Sequence, residues 1–103
     1  MNPYTGETIL GVWNKGRIVD GHDPFQYRKD ACGAWMHFKQ YCTKNSDYGW
    51  ELGRVISVKD QQPVEDDDSL DNLQPLQWQN NAATGNGALV CAVTSYGHGN
   101  CPV

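Results

Sequence analysis

The sequence predicts a small α+β domain, and three observations carry that expectation. At 103 residues, with hydrophobic residues at 39%, the chain fits one core and one domain spanning residues 1–103. Strand-like apolar runs and helix-start chemistry both occur along it. The patterned segments are short and are separated by clusters of Gly, Asn and Asp, with no internal repeat and no low-complexity linker. A chain of this length buries only about 60–65% of the surface its unfolded form exposes, so a staple is expected: a disulfide, a metal or a partner.

Ile9 to Val19 reads as a hairpin, with a strand, the turn Asn14-Lys15-Gly16 and a second strand through Ile18. Asp23-Pro24 carries the chemistry of a short helix start, Asp23 as N-cap and Pro24 at the first helical position, running through Tyr27 toward Asp30. Gly33 to Phe38 is strand-like, and Thr43 to Tyr48, with Asn45, Ser46 and Asp47, is turn chemistry. Trp50 to Val58 is the next strand, its register left open by imperfect alternation. Lys59 to Asp68 is a polar, acidic loop, and Asn72 to Gln74 a short second strand. Pro75 suits a first helical turn, and Leu76, Asn80 and Ala83 fall on one face, which predicts a helix from Pro75 to Ala83 ended by Gly85-Asn86-Gly87. Ala88 to Val93 is a last strand before a glycine-rich tail from Tyr96 to Val103.

Eight Lys and Arg against twelve Asp and Glu give a net charge of -4, the wrong sign for holding nucleic acid by bulk electrostatics. Nucleic-acid contact would need a local patch. No apolar run approaches the roughly 20 residues of a membrane span, and residues 1–11 lack the basic and apolar regions of a signal peptide. A cytoplasmic protein, or one held within an assembly, is expected. The four cysteines, Cys32 with Cys42 and Cys91 with Cys101, show no Cys-x-x-Cys zinc spacing. Without an export signal reduced thiols are favoured, with one or two bridges, and then a bound metal, as the alternatives.

A strand opened by Gly49-Trp50-Glu51-Leu52, a polar loop, and the run Asp71-Asn72-Leu73-Gln74-Pro75-Leu76-Gln77-Trp78-Gln79-Asn80-Asn81 lead into a Gly-terminated helix. In this the chain resembles the HNH endonucleases, the His-Me finger or ββα-metal group. The likeness extends upstream through Val12-Trp13-Asn14-Lys15-Gly16 and Arg28-Lys29-Asp30-Ala31-Cys32-Gly33, and downstream through Ala88-Leu89-Val90-Cys91. It implies an HNH-like ββα finger over about residues 48–87, with an added N-terminal hairpin and short helix. In that family an Asp-His pair ends the first finger strand, a central Asn sits in the loop, and a helix His or Asn binds metal. The His is general base on water, while the Asp and the helix residue hold one divalent cation.

Aligned on Gly49-Trp50-Glu51, the Asp-His pair falls on Gly53-Arg54, the central Asn on Asn72 and the helix residue on Asn81. Glycine brings no side-chain oxygen to a cation, and arginine stays protonated and cannot take a proton from water. The family's basic residue after the helix Asn pair is Thr84 here, and its Gly-Gly loop is Asp60-Gln61-Gln62-Pro63. The resemblance therefore implies an HNH-like protein without catalysis or cofactor. Such a protein would be a binding or structural subunit of a virion, a ribosome-like complex or a self-assembling multimer, with a protein partner or a second copy of itself. Without a catalytic histidine, Asn72 is expected to hydrogen-bond loop backbone and Asn81 to be a helix-surface or cap residue.

Two rivals stand beside that reading. One is an active metal-dependent DNA endonuclease with His37 as displaced base and carboxylates from Glu51 or the Asp66 to Asp71 loop. The other is a DNA-binding module that does not cut, using Arg54, Lys15, Arg17 and Lys44, with Arg28, Lys29 and Lys39 as further candidates. The acidic run Glu65-Asp66-Asp67-Asp68 with Asp71 lacks EF-hand ligand spacing and reads as a solvated loop able to meet a basic partner. His22, His37 and His98 match no zinc-hydrolase motif and read as ordinary histidines. The aromatics, with Trp13, Trp35, Trp50 and Trp78 foremost, are expected mostly in the core, any exposed one marking a partner surface.

Overall fold

The computed structural model describes residues 5–54, 72–85 and 88–103. Over these residues the chain is a mixed α+β domain of two α-helices and three two-stranded antiparallel sheets. In order these are α1 (Gly6–Trp13), β1 (Tyr27–Lys29), β2 (Trp35–His37), a 3-10 turn (Phe38–Gln40), β3 (Trp50–Arg54), β4 (Leu73–Gln77), α2 (Trp78–Thr84), β5 (Val93–Tyr96) and β6 (Gly99–Pro102).

The expected N-terminal hairpin is replaced by α1. Thr5 decides it: its hydroxyl accepts from the Thr8 amide at 3.1 Å, capping a helix whose first turn carries Glu7. Ile9, Val12 and Trp13 then share one face, and Val12 and Trp13 are fully buried. Asn14-Lys15-Gly16 closes this helix rather than a hairpin, the Lys15 and Gly16 amides donating to Val12 and Trp13 carbonyls. Arg28 finishes the end, its Nη1 donating to the Asn14 and Gly16 carbonyls at 3.0 and 2.9 Å. Burial pulls that guanidinium below its ordinary pKa, yet it remains cationic at any working pH.

The helix expected after Asp23-Pro24 is a single turn. Asp23 caps it, accepting from the Phe25 amide at 2.9 Å, but Tyr27 to Lys29 extend as β1. The physical reason is the partner strand: Tyr27, Arg28 and Lys29 pair with His37, Met36 and Trp35, burying Arg28 and Met36 on one face. Gly33, at φ +80, completes the connecting turn in a conformation that strains any side chain.

β3 and β4 pair from Trp50 opposite Gln77 to Arg54 opposite Leu73. The predicted helix start at Pro75 is displaced, because Pro75 and Leu76 lie in β4 and α2 begins only at Trp78. Gln77 causes the switch: its side-chain oxygen accepts from the Gln79 and Asn80 amides at 2.7 and 3.2 Å. α2 packs over β3 and β4 and ends at Gly85, φ +56. The tail expected from Tyr96 onward is the second half of a hairpin, β5–β6, turning on Gly97-His98 with Gly97 at φ +61. The expected strand Ala88 to Val93 thus contributes only its last residue. The outer part of the Trp50 to Val58 strand and the acidic loop lie outside the described residues.

Val12, Trp13, Met36, Trp50 and Leu73 form the core, with Ile9, Phe38, Tyr41 and Leu52 against it. Trp13 and Trp50 meet at 5.1 Å between ring centroids. Each of the four indole N–H groups finds a carbonyl: Trp13 on Pro24, Trp35 on Gly97, Trp50 on Phe38 and Trp78 on Ser46.

A buried carboxylate ties the elements together. Asp30, 2% exposed, accepts from the Cys32 and Ala34 amides on Oδ1, and from the Gln77 amide and the Asn80 side chain on Oδ2. Asn80, fully buried, also donates to the Val93 carbonyl and accepts from the Ala92 and Val93 amides. Loop, strand, helix and closing hairpin thus share one polar network. Beside it, Cys32 and Cys91 form a disulfide across 59 residues, while Cys42 and Cys101 are free. The expectation of reduced thiols is corrected here: the network holds the two Cα atoms 5.5 Å apart, an ordinary disulfide separation.

Candidate functional site

The β3–β4–α2 unit brings Gly53 and Asn81 together. A Cβ at position 53 would lie 2.9 Å from Asn81 Oδ1 and 2.6 Å from Leu76 Cδ1, so the space a carboxylate would need is occupied by leucine. Asn81 is half-buried rather than a free surface residue, and its Nδ2 donates to Glu51 Oε1 at 2.9 Å. Glu51 in turn faces Lys44, at 3.8 Å and mostly exposed. Arg54 ends β3, half-buried and opposite Leu73, and Asn72 stands immediately before β4. Among the described residues no three His, Cys, Asp or Glu side chains gather as a metal site. The Asp66 to Asp71 loop lies outside the described residues.

His37 is placed elsewhere. Its ring packs against Tyr27 at 4.7 Å between centroids, and its Nδ1 accepts from the Lys39 amide at 3.2 Å. Burial, and then the Lys39 ammonium, lower its pKa from the usual imidazole range.

Three of the basic candidates line one cleft. Lys15, Arg17 and Lys29 line a cleft of about 480 Å³ that Asp30, Leu73, Gln74 and Pro75 also border. Arg17 and Lys29 face each other directly, exchanging amide-to-carbonyl bonds of 2.7 and 3.0 Å. This pairing puts both side chains on one face, where an anion would meet two cationic groups. Lys15 reaches over the cleft to donate to the Leu73 carbonyl at 2.8 Å. Arg28 is engaged with backbone carbonyls, and Lys44 belongs to the Glu51 side.

A second cavity, of about 190 Å³, is lined by His22, Tyr27, Trp35, Tyr48 and His98. Its rings stand as walls rather than a stack: Tyr27 is turned 86° from Trp35 and 79° from Tyr48, and His98 73° from Trp35. Two strands, one hairpin turn and two loop positions, His22 and Tyr48, supply it. Tyr27 and Trp35 come from the outer face of β1–β2, and His98 from the β5–β6 turn, where the Tyr48 hydroxyl donates to its carbonyl. Sequence reasoning missed this pocket because its residues are spread from position 22 to 98, and aromatic density was the only signal.

No protein-family model, no curated protein and no solved structure matches this chain. Among the described residues no helix is long and apolar enough to cross a membrane.

Proposed function

We propose that the chain is an HNH-like ββα protein that does not cleave, and that it acts as a binding or structural subunit of a larger assembly. The observation that supports this most directly is the filled space at Gly53. The position that would carry a metal-binding carboxylate has no side chain, Leu76 occupies the room for one, and an arginine follows where a base is required. Losing both ligand and base removes charge stabilisation and water activation together, each worth orders of magnitude in rate.

The test is incubation of supercoiled plasmid with Mg²⁺, Mn²⁺, Ni²⁺ or EDTA. Wild-type protein is expected to leave the plasmid supercoiled throughout. Metal-dependent nicking that disappears in His37→Ala would instead establish the nuclease rival. A Gly53→Asp, Arg54→His variant is expected to stay inert as well, because Leu76 fills the space of the added carboxylate; nicking by it would show that space to be open and remove this support.

A second reading, nucleic-acid contact without cutting, is favoured by the gathering of Lys15, Arg17 and Lys29 around one cleft. In a chain of net charge -4, such a local patch is where phosphate would bind. Binding through it is expected to weaken steeply with salt, and Arg17→Ala is expected to reduce the salt slope by about one.

A further inference from the structure

The basic cleft and the aromatic pocket share a border. Trp35 lines the pocket, Lys29 lines the cleft, and the Lys29 ammonium lies 4.7 Å from the centroid of the Trp35 ring. The register explains the adjacency: Lys29 and Trp35 are direct partners across β1 and β2, and Tyr27 is two residues away on the same face. One strand pair therefore presents, in succession, rings and then cations.

We propose that this composite surface binds an unpaired nucleotide, with the base in the aromatic pocket and its phosphate on Arg17 and Lys29. The proposal rests on the nucleic-acid reading above and narrows it to a single strand. A cavity of about 190 Å³ accommodates one heterocycle and excludes a base pair. Aromatic lining is how proteins bind single strands with little sequence preference; here the rings already pack on one another, His22 on Trp35 at 4.7 Å and Tyr27 on Trp35 at 6.3 Å between centroids, so a base meets the ring surface left at the pocket mouth. The imidazoles of His22 and His98 and the Tyr27 hydroxyl supply hydrogen-bonding groups at the walls. A small organic cation fits the site less well, because the Lys29 ammonium already lies against Trp35 and would repel it. The phosphate of a nucleotide is attracted there instead.

This surface borders the Gly53–Asn81 region without sharing a residue with it: Leu73 and Gln74 of the cleft wall are the strand partners of Arg54 and Gly53. None of the pocket or cleft residues is Glu51, Gly53, Arg54 or Asn81. Contact with a strand at this place requires nothing of the altered catalytic positions.

The test is a fluorescence-anisotropy titration of the full chain with labelled oligothymidylate of eight nucleotides, with a blunt duplex of the same length, and with thymidine monophosphate as competitor. Wild type is expected to prefer the single strand about tenfold or more over the duplex. His98→Ala, at an exposed turn, and Tyr27→Leu, which keeps apolar bulk in β1, are each expected to weaken the single strand about fivefold or more and leave duplex binding unchanged. Arg17→Ala should weaken both and lower the salt slope. Competition by the monophosphate is expected, since one base and one phosphate fill the site; its failure would overturn the single-nucleotide site. Equal affinity for strand and duplex, or aromatic variants that bind the strand like wild type, would overturn the pocket while leaving the cleft standing if Arg17→Ala still matters. No binding of either oligonucleotide at low salt would overturn both.

Discussion

Replacing Asp30 by asparagine should destabilise the protein more than almost any other change of one atom. The native carboxylate accepts four hydrogen bonds, two on each oxygen, at distances of 2.8 to 2.9 Å and 2% exposure. An amide keeps one oxygen. If it faces the Cys32 and Ala34 amides, its own N–H₂ meets the Gln77 amide and the Asn80 side-chain donor; if flipped, it meets the other pair. Either way two buried donors lose their acceptor, at about 1–3 kcal/mol each, or roughly 4 kcal/mol together. Asp30→Ala strips all four and should cost more. For a domain whose total stability is of order 5–15 kcal/mol, the loss is a large fraction. Urea unfolding followed by tryptophan fluorescence reads it directly. With a slope of about 1–3 kcal/mol per molar, the midpoint of Asp30→Asn should fall by more than about 1 M at unchanged slope. A shift below about 0.3 M would show that the four contacts do not form, and the account of how the elements are joined would fail with it.

Three further outcomes are expected. Cys32→Ser, Cys91→Ser, or reduction of the wild type, should lower stability by about 4 kcal/mol, the chain-entropy value for a loop of 59 residues; an unchanged urea midpoint under reductant would refute the bridge. Gly49→Ala should prevent accumulation of folded protein, because the added Cβ would land on the Thr43 carbonyl, a backbone atom with nowhere to go; a variant melting within a few degrees of wild type would contradict it. The lowered pKa of His37 means that the unfolded chain takes up the proton first, so its contribution is complete above pH 6.5 and is lost as pH falls through the folded value. The wild-type urea midpoint should therefore drop further between pH 7.5 and 5.5 than that of His37→Asn, and equal drops would remove His37 as the cause.

Sequence patterning was most informative where local chemistry and tertiary contact agree. The turn chemistry of Thr43 to Tyr48, the strand from Trp50 and the glycine stop after α2 all appear where the residues place them. It failed where a distant partner decides. Ile9 to Trp13 is apolar enough for strand or helix, and only the Thr5 cap and the burial of Val12 and Trp13 select the helix. Pro75 suits a helix start locally, but pairing of Leu52 with Pro75 holds it in β4. Of the site candidates, Lys15 and Arg17 converge with Lys29, while Lys44 does not. The Asp30–Asn80 network and the aromatic pocket join residues 50 and up to 76 positions apart, separations at which no periodicity carries information.

Apart from side-chain pairs such as Asp30–Asn80 and Asn81–Glu51, the polar fastenings between distant parts of this fold are largely one-sided. Asn80 holds residues 92 and 93 by their peptide groups, Asn100 holds Trp35 by its amide and carbonyl, Arg28 holds only carbonyls, and each indole N–H does the same. A peptide carbonyl is present whatever residue occupies the position, and an amide N–H wherever that residue is not proline. One partner in each fastening is thus a fixed side chain, and the other tolerates substitution without loosening. Drift can rewrite most of the surface of such a chain while a few specified anchors keep its shape, until little in the letters betrays the ancestry of the fold.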